Sequence, residues 1–164
     1  MDKYDFGGWA TRNDLLCSDG RIIKKDAFKD QDGMTVPIVW NHDHDSVNAV
    51  LGHAVLENRD DGVYAYGVFN NTEEGQHAKE LVEHGDVRSL SIYANKLKHA
   101  GSNVVHGIIR ELSLVLAGSN PGATIDWAIA HGDGEDDAFA ANYDIAGLVL
   151  YHSDDKTEKE KTVE

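Results

Sequence analysis

Trp40-Asn41-His42-Asp43-His44-Asp45 sets two imidazoles and two carboxylates side by side, just after the apolar run Thr35-Val-Pro-Ile-Val-Trp40. Two chemistries suit these residue types. In an extended segment His42 and His44 share a face, and with Asp45 they make H-x-H-x-D, a donor set suited to zinc. Zinc hydrolases of the H-x-H-x-D-H kind add a further His, and here Ser46 stands in its place. The chain holds nine His, and His53, His77, His84, His99, His106 and His131 lack ligand spacing. The other chemistry is proton transfer from a serine nucleophile, which needs an imidazole and a third group to orient it. Ser91, in RSLSIY, is the candidate nucleophile, but it lies outside any G-x-S-x-G elbow. A strand Ser between Leu90 and Ile92 is ordinary on its own, and Ser89 shares its face. Glu111, in IIRELSLVL, is less ordinary, because a carboxylate in an apolar strand needs a partner or a role. Arg110 is a poor partner, since adjacent strand residues point to opposite sides. Cys17, the only cysteine, is far in sequence from every His and reads as an inert, partly buried thiol.

The elements that must position these groups are mostly strands. The β-branched run Thr35–Trp40 predicts a strand ending at the His cluster. Ala49–Glu57 and Val63–Phe69 predict a hairpin turning at Asn-Arg-Asp-Asp-Gly, with Gly52 marking a bulge or a close backbone approach. The period then changes. Asn71 or Thr72 as a cap, Glu73 and Glu74 behind it, Ala78, Leu81 and Val82 at helical spacing, and a stop at Gly85 predict a helix. Val87, Ser89, Ser91 and Tyr93 alternate with Leu90 and Ile92 in the next strand. Val104–Gly118 is long and β-rich, predicting one bent strand or two; Ile125–His131 is ambiguous. Many short strands with one clear helix predict a mainly β domain with added α, as a barrel or sandwich.

Composition excludes several classes. The chain has 164 residues, 41% of them hydrophobic, enough for one domain with a core. A formal net charge of −14 argues against nucleic acid. Gly132 to Glu164 carries ten acids and three lysines, a net of −7, and reads as an acidic, partly disordered linker or tail after a domain at 1–131. A single cysteine forbids an intramolecular disulfide and suits a reducing compartment. No run approaches a membrane span, and MDKYDFGGWA has no signal-peptide core.

The order of the motifs says more than any one of them. VWNHD, then VLGHAVLENRDDGVYAYGVF, then HGDVRSLSIYA, then RELSLVLAGSNPGA resembles the prohead (capsid-maturation) serine proteases of tailed phages, over roughly Phe6 to Ala128. The resemblance implies the herpesvirus-protease-like fold, an antiparallel β-barrel with a few surrounding helices. It implies Ser91 as nucleophile, His42 as general base and Glu111 as the group orienting His42. His44 is the alternative orienting group, as in the similar Ser-His-His herpesvirus maturation proteases. The family often has Gly after L-S-I, where this chain has Tyr93, so the resemblance puts a bulky side chain near the oxyanion region or substrate cleft. The implied function is a serine endopeptidase that cuts the scaffold or capsid-protein precursor, and itself, during prohead maturation. Its implied partners are the phage major capsid protein and scaffolding segment, with a homo-oligomer compatible. Its implied location is the host cytoplasm, inside the prohead. No cofactor is expected. The acidic tail would lead to a scaffolding region, with Glu164 either a processing end or an arbitrary boundary. Two rival classes stay open: a metal-dependent hydrolase built on His42, His44 and Asp45, and an inactive protease-like assembly module.

Overall fold

The computed structural model describes residues 3–128; the acidic segment at 132–164 lies outside the described residues. In chain order the elements are β1 (Phe6–Arg12), β2 (Ile22–Ile23), β3 (Thr35–Trp40), β4 (Val50–Arg59), β5 (Gly62–Phe69), α1 (Glu73–Glu83), β6 (Ser89–Ala100), β7 (Asn103–Val115) and β8 (Ile125–Ala128). Val104–Gly118 thus forms one strand as far as Val115, and the ambiguous segment forms a short strand through Ala128. No helix among the described residues is long and apolar enough to cross a membrane.

All eight strands belong to one sheet, in the order β2-β7-β3-β4-β5-β1-β8, with β6 also paired to β7. Two features depart from the expected antiparallel barrel. First, the sheet is mixed: β2 and β3 run parallel to β7. The chain goes out through the β4–β5 hairpin, α1 and β6 before β7 returns beside β3. Second, the sheet is not closed. Between β6 and β8 there is one isolated bridge, Ser89 to Thr124, flanked by Leu90 N–H to Ala123 O and Ile125 N–H to Arg88 O, both 2.9 Å. β8 has four residues and β6 has twelve, so β8 is too short to run along it. Beyond Leu90 the second edge of β6 pairs with no described strand.

Local chemistry explains the elements that hold the site. Thr72 Oγ1 accepts the Gly75 N–H (3.0 Å), Glu73 and Glu74 sit at the positive end of the helix dipole, and Gly85 follows the last turn at φ 79°. Ala78 and Val82 are the buried face of α1. At Gly52 the chain has both features its sequence suggested. The β3–β4 register slips beside it, leaving Leu51 as a bulge, and an added Cβ would lie 2.0 Å from Val68 O. The core gathers Phe6, Ile38, Leu56, Leu90, Ile109, Leu112, Leu114 and Ile125, all fully buried. Leu90 pairs with Leu114 and Ile92 with Leu112, so one face of the β6–β7 ribbon is apolar. The alternation then forces Ser91, paired with Ser113, and Tyr93, paired with Glu111, onto the other face.

Candidate active site

That polar face is covered by the loop leaving β3. Asn41 and His42 both take left-handed backbone conformations, at φ 49° and 57°, and Asp43 N–H closes the turn on Trp40 O (2.9 Å). Asn41 N–H donates to Leu114 O (2.9 Å), and His42 N–H donates to Ser113 Oγ (2.9 Å). The turn bends the chain back so that the His42 ring lies between β6 and β7.

The ring touches both strands. Its Nε2 is 2.9 Å from Ser91 Oγ and its Nδ1 is 3.0 Å from Glu111 Oε1. Glu111 is only 3% exposed. Its Oε2 accepts from Ser113 Oγ (2.9 Å) and meets His44 Nε2 at 3.1 Å. An ionised carboxylate only accepts, so His42 carries its proton on Nδ1 and turns a lone pair toward Ser91. The His44 ring also packs edge-on against Tyr93, with centroids 5.0 Å apart at 87°. A hydroxyl, an imidazole and a buried carboxylate in this line have the geometry for base-assisted attack by Ser91 on a carbonyl.

The other candidates fall elsewhere. Asp45 is exposed, and its N–H donates to Asp43 Oδ1 (2.9 Å). The donor trio in space is therefore His42, His44 and Glu111, and not His42, His44 and Asp45. The structure corrects that set because the turn at Asn41–His42 breaks the extended geometry that would have put Asp45 with the imidazoles. Ser89 bridges to Thr124, two residues along from the hydroxyl that meets His42. Arg110 Nε donates to Asn95 Oδ1 (2.8 Å). Tyr93 packs on His44 and lines a groove of about 340 Å³ with Asp43, Arg110 and Glu111, away from the open edge of β6.

A cleft of about 220 Å³ runs from Ser91 and His42 along Ile92, Ala94 and Leu97 of β6 to Asp19 and Arg21. It occupies the gap that the unclosed sheet leaves beside β6. Arg21 binds Asp19 Oδ2 through Nε and Nη2 (2.8 and 2.5 Å), which holds the Asp19 carboxyl below its ordinary range. Cys17 borders the same cleft, but burial first and Asp19 second push its thiol up to about 11. It is a neutral thiol near pH 7 and a poor nucleophile.

Sequence reasoning missed Ser113, which bonds both the His42 backbone and the Glu111 carboxylate. Its signal was present: in E-L-S-L a strand puts Glu111 and Ser113 on one face. The Asp19–Arg21 pair carried no comparable signal, because its place beside Ser91 depends on folding.

No curated protein shows significant sequence similarity to the chain. Among solved structures, the protease of Kaposi's sarcoma herpesvirus in complex with a hexapeptide phosphonate inhibitor is similar, with a TM-score of 0.51 and 14% identity over 73% of this chain and 62% of that one. The same virus's protease with an allosteric inhibitor gives 0.48 at 14% identity, over 75% and 76%. The chain thus spans 62% of the first of these, and likeness at such identity speaks to the fold. The sequence model that matches is that of the caudovirus prohead serine proteases, over residues 8–131. Since that match takes in His42, Ser91, Glu111 and most of the sequence, the chain belongs to the caudovirus prohead serine protease family, a family of peptidases.

Proposed function

We propose that this domain is an endopeptidase using Ser91 as nucleophile, His42 as general base and acid, and Glu111 to hold His42. The observation that carries it is the continuous line Ser91 Oγ–His42 Nε2 (2.9 Å) and His42 Nδ1–Glu111 Oε1 (3.0 Å). Ser91 Oγ attacks the scissile carbonyl as its proton passes to His42 Nε2. The tetrahedral intermediate collapses, and His42 returns that proton to the leaving amine. Water, deprotonated by His42, then releases the acyl group from Ser91. Glu111 fixes the Nδ1–H tautomer and stabilises the imidazolium. His44 supports this by bonding the other oxygen of Glu111, since it is Glu111 that meets Nδ1.

The substrate is an extended protein segment. A strand-like gap beside Ser91 and the unpaired edge of β6 suit such a chain, and the similar herpesvirus protease was captured with a hexapeptide phosphonate. Family membership directs this to capsid-protein and scaffold precursors inside the phage procapsid, with self-cleavage in the same setting.

Ser91→Ala in a precursor carrying its scaffold is the test. Self-processing and fluorophosphonate labelling should both vanish while the fold persists; unchanged processing would remove Ser91 from its role. Chelation of metal should leave wild-type processing intact, and its loss would favour metal-dependent hydrolysis. A wild-type chain inert even under assembly conditions would favour an assembly module.

A further inference from the structure

The cluster that holds His42 has a second capability. One ligand atom each from His42, His44 and Glu111 lie within 4.8 Å of one another, on two loop residues and one strand residue. Glu111 Oε1 is 3.0 Å from His42 Nδ1, and Glu111 Oε2 is 3.1 Å from His44 Nε2. Ligands on a tetrahedral zinc at about 2.0–2.1 Å stand roughly 3.3 Å apart, so each imidazole already lies near ligand spacing from one oxygen of the carboxylate, and a small contraction of the trio would complete the set. Two imidazoles and a carboxylate are donors that zinc and cobalt favour, and they leave a fourth position for water.

Access and charge fit as well. The groove of about 340 Å³ on the Tyr93 side reaches Asp43, His44 and Glu111 without passing the Ser91 cleft. Asp43 adds negative charge at its wall, and the one cationic lining residue, Arg110, is bonded to Asn95. The side chain of His44 is 49% exposed; that of Glu111 is 4% exposed and bonded to Ser113.

We propose that His42, His44 and Glu111 form an inhibitory site for Zn2+ or a similar divalent transition metal. The ion takes the Nδ1 lone pair of His42, so the ring proton moves through solvent from Nδ1 to Nε2. Nε2–H then donates to Ser91 Oγ and cannot accept its proton. Metal and nucleophile activation become mutually exclusive, which is the reverse of a metal-dependent hydrolase. The binding stands on the donor geometry alone; the inhibition rests on the serine mechanism above.

Two measurements separate these. Ser91→Ala protein keeps all three donors and lacks the nucleophile. Titrated with Zn2+ and with Co2+, it should bind one ion, with visible Co2+ absorption of a low-coordinate site. His44→Ala made in the same background should bind at least tenfold more weakly. No saturable binding, or equal binding after His44→Ala, overturns the site. For inhibition, wild-type protein is labelled with a fluorophosphonate across a Zn2+ series. The rate should fall at least tenfold and return on chelation, and His44→Ala should need at least tenfold more Zn2+ for its own half-inhibition. Labelling that is indifferent to bound Zn2+, or that rises with it, overturns the inhibition. Wild-type protein unlabelled without metal would count against the serine mechanism, while the binding titration would still decide the site.

Discussion

His42 carries the cost of its position in its own backbone. Left-handed φ at Asn41 and at His42 is unfavourable for side-chain-bearing residues, by about 1–3 kcal/mol each. Ser113 Oγ, Leu114 O and Trp40 O hold the turn by accepting the N–H groups of His42, Asn41 and Asp43. Ser113 also binds Glu111, so one buried hydroxyl fixes both the His42 backbone and the carboxylate that meets its ring. The types and chain order of His42, Ser91 and Glu111 were legible, because each sits in a motif with a recognisable setting. The turn was not legible: Asn-His carries none of the glycine that usually announces left-handed backbone. Glu111→Gln tests the orienting role at this scale. An amide can donate to Nδ1 and stabilise the tautomer that leaves no lone pair for Ser91. The expected loss is about 10³–10⁴-fold in kcat with KM little changed and the fold retained, measured by peptide cleavage and thermal melts. A loss smaller than tenfold would remove Glu111 from the orienting role.

At the scale of elements, the site depends on β7 being held along its length. One edge pairs with β6. The other is shared by short pieces: β2 takes Asn103 and Val104, Ala27 O accepts the Gly107 N–H (3.2 Å), and β3 pairs from Leu112 to Leu114. Between them the side chain of buried Gln31 imitates a strand. Its Oε1 accepts the Ile109 N–H (2.5 Å) and its Nε2 donates to Ile109 O (2.7 Å). Gln31→Leu would leave two buried backbone groups of β7 unpaired, two residues from Glu111. At about 1–3 kcal/mol per unsatisfied group, the loss should be about 2–6 kcal/mol, seen as a Tm lower by about 10 °C or more. A change under 2 °C would mean that water or a neighbour replaces the amide. Boundaries set by local chemistry, the Thr72 cap, the Gly85 stop and the serine alternation of β6, could be read from sequence. Parallel pairing of β3 with β7 could not, since Val39 meets Ser113 only through a crossover of the intervening elements. The open edge of β6 was hidden for the same reason: closure depends on the length of β8 against β6.

Over the whole molecule, charge is unevenly distributed. Phe6 and Ala128, both buried, are paired across β1 and β8. The first and last strands thus close onto each other and complete the packing within the described residues. Half of the net charge of −14 sits in the segment from Gly132 to Glu164, with ten acids against three lysines. Such a composition repels itself and offers one apolar island, Ile145–Tyr151. The boundary expected after His131 can be tested directly: a chain shortened to residues 1–131 should behave as the domain. Its thermal unfolding should stay cooperative, with a Tm within about 2 °C of the full chain. Its fluorophosphonate labelling should be unchanged, because no described residue lining the Ser91 cleft lies beyond Asn120. A fall of more than about 5 °C, or a loss of labelling, would mean that the acidic segment packs on the body and that the domain extends past residue 131.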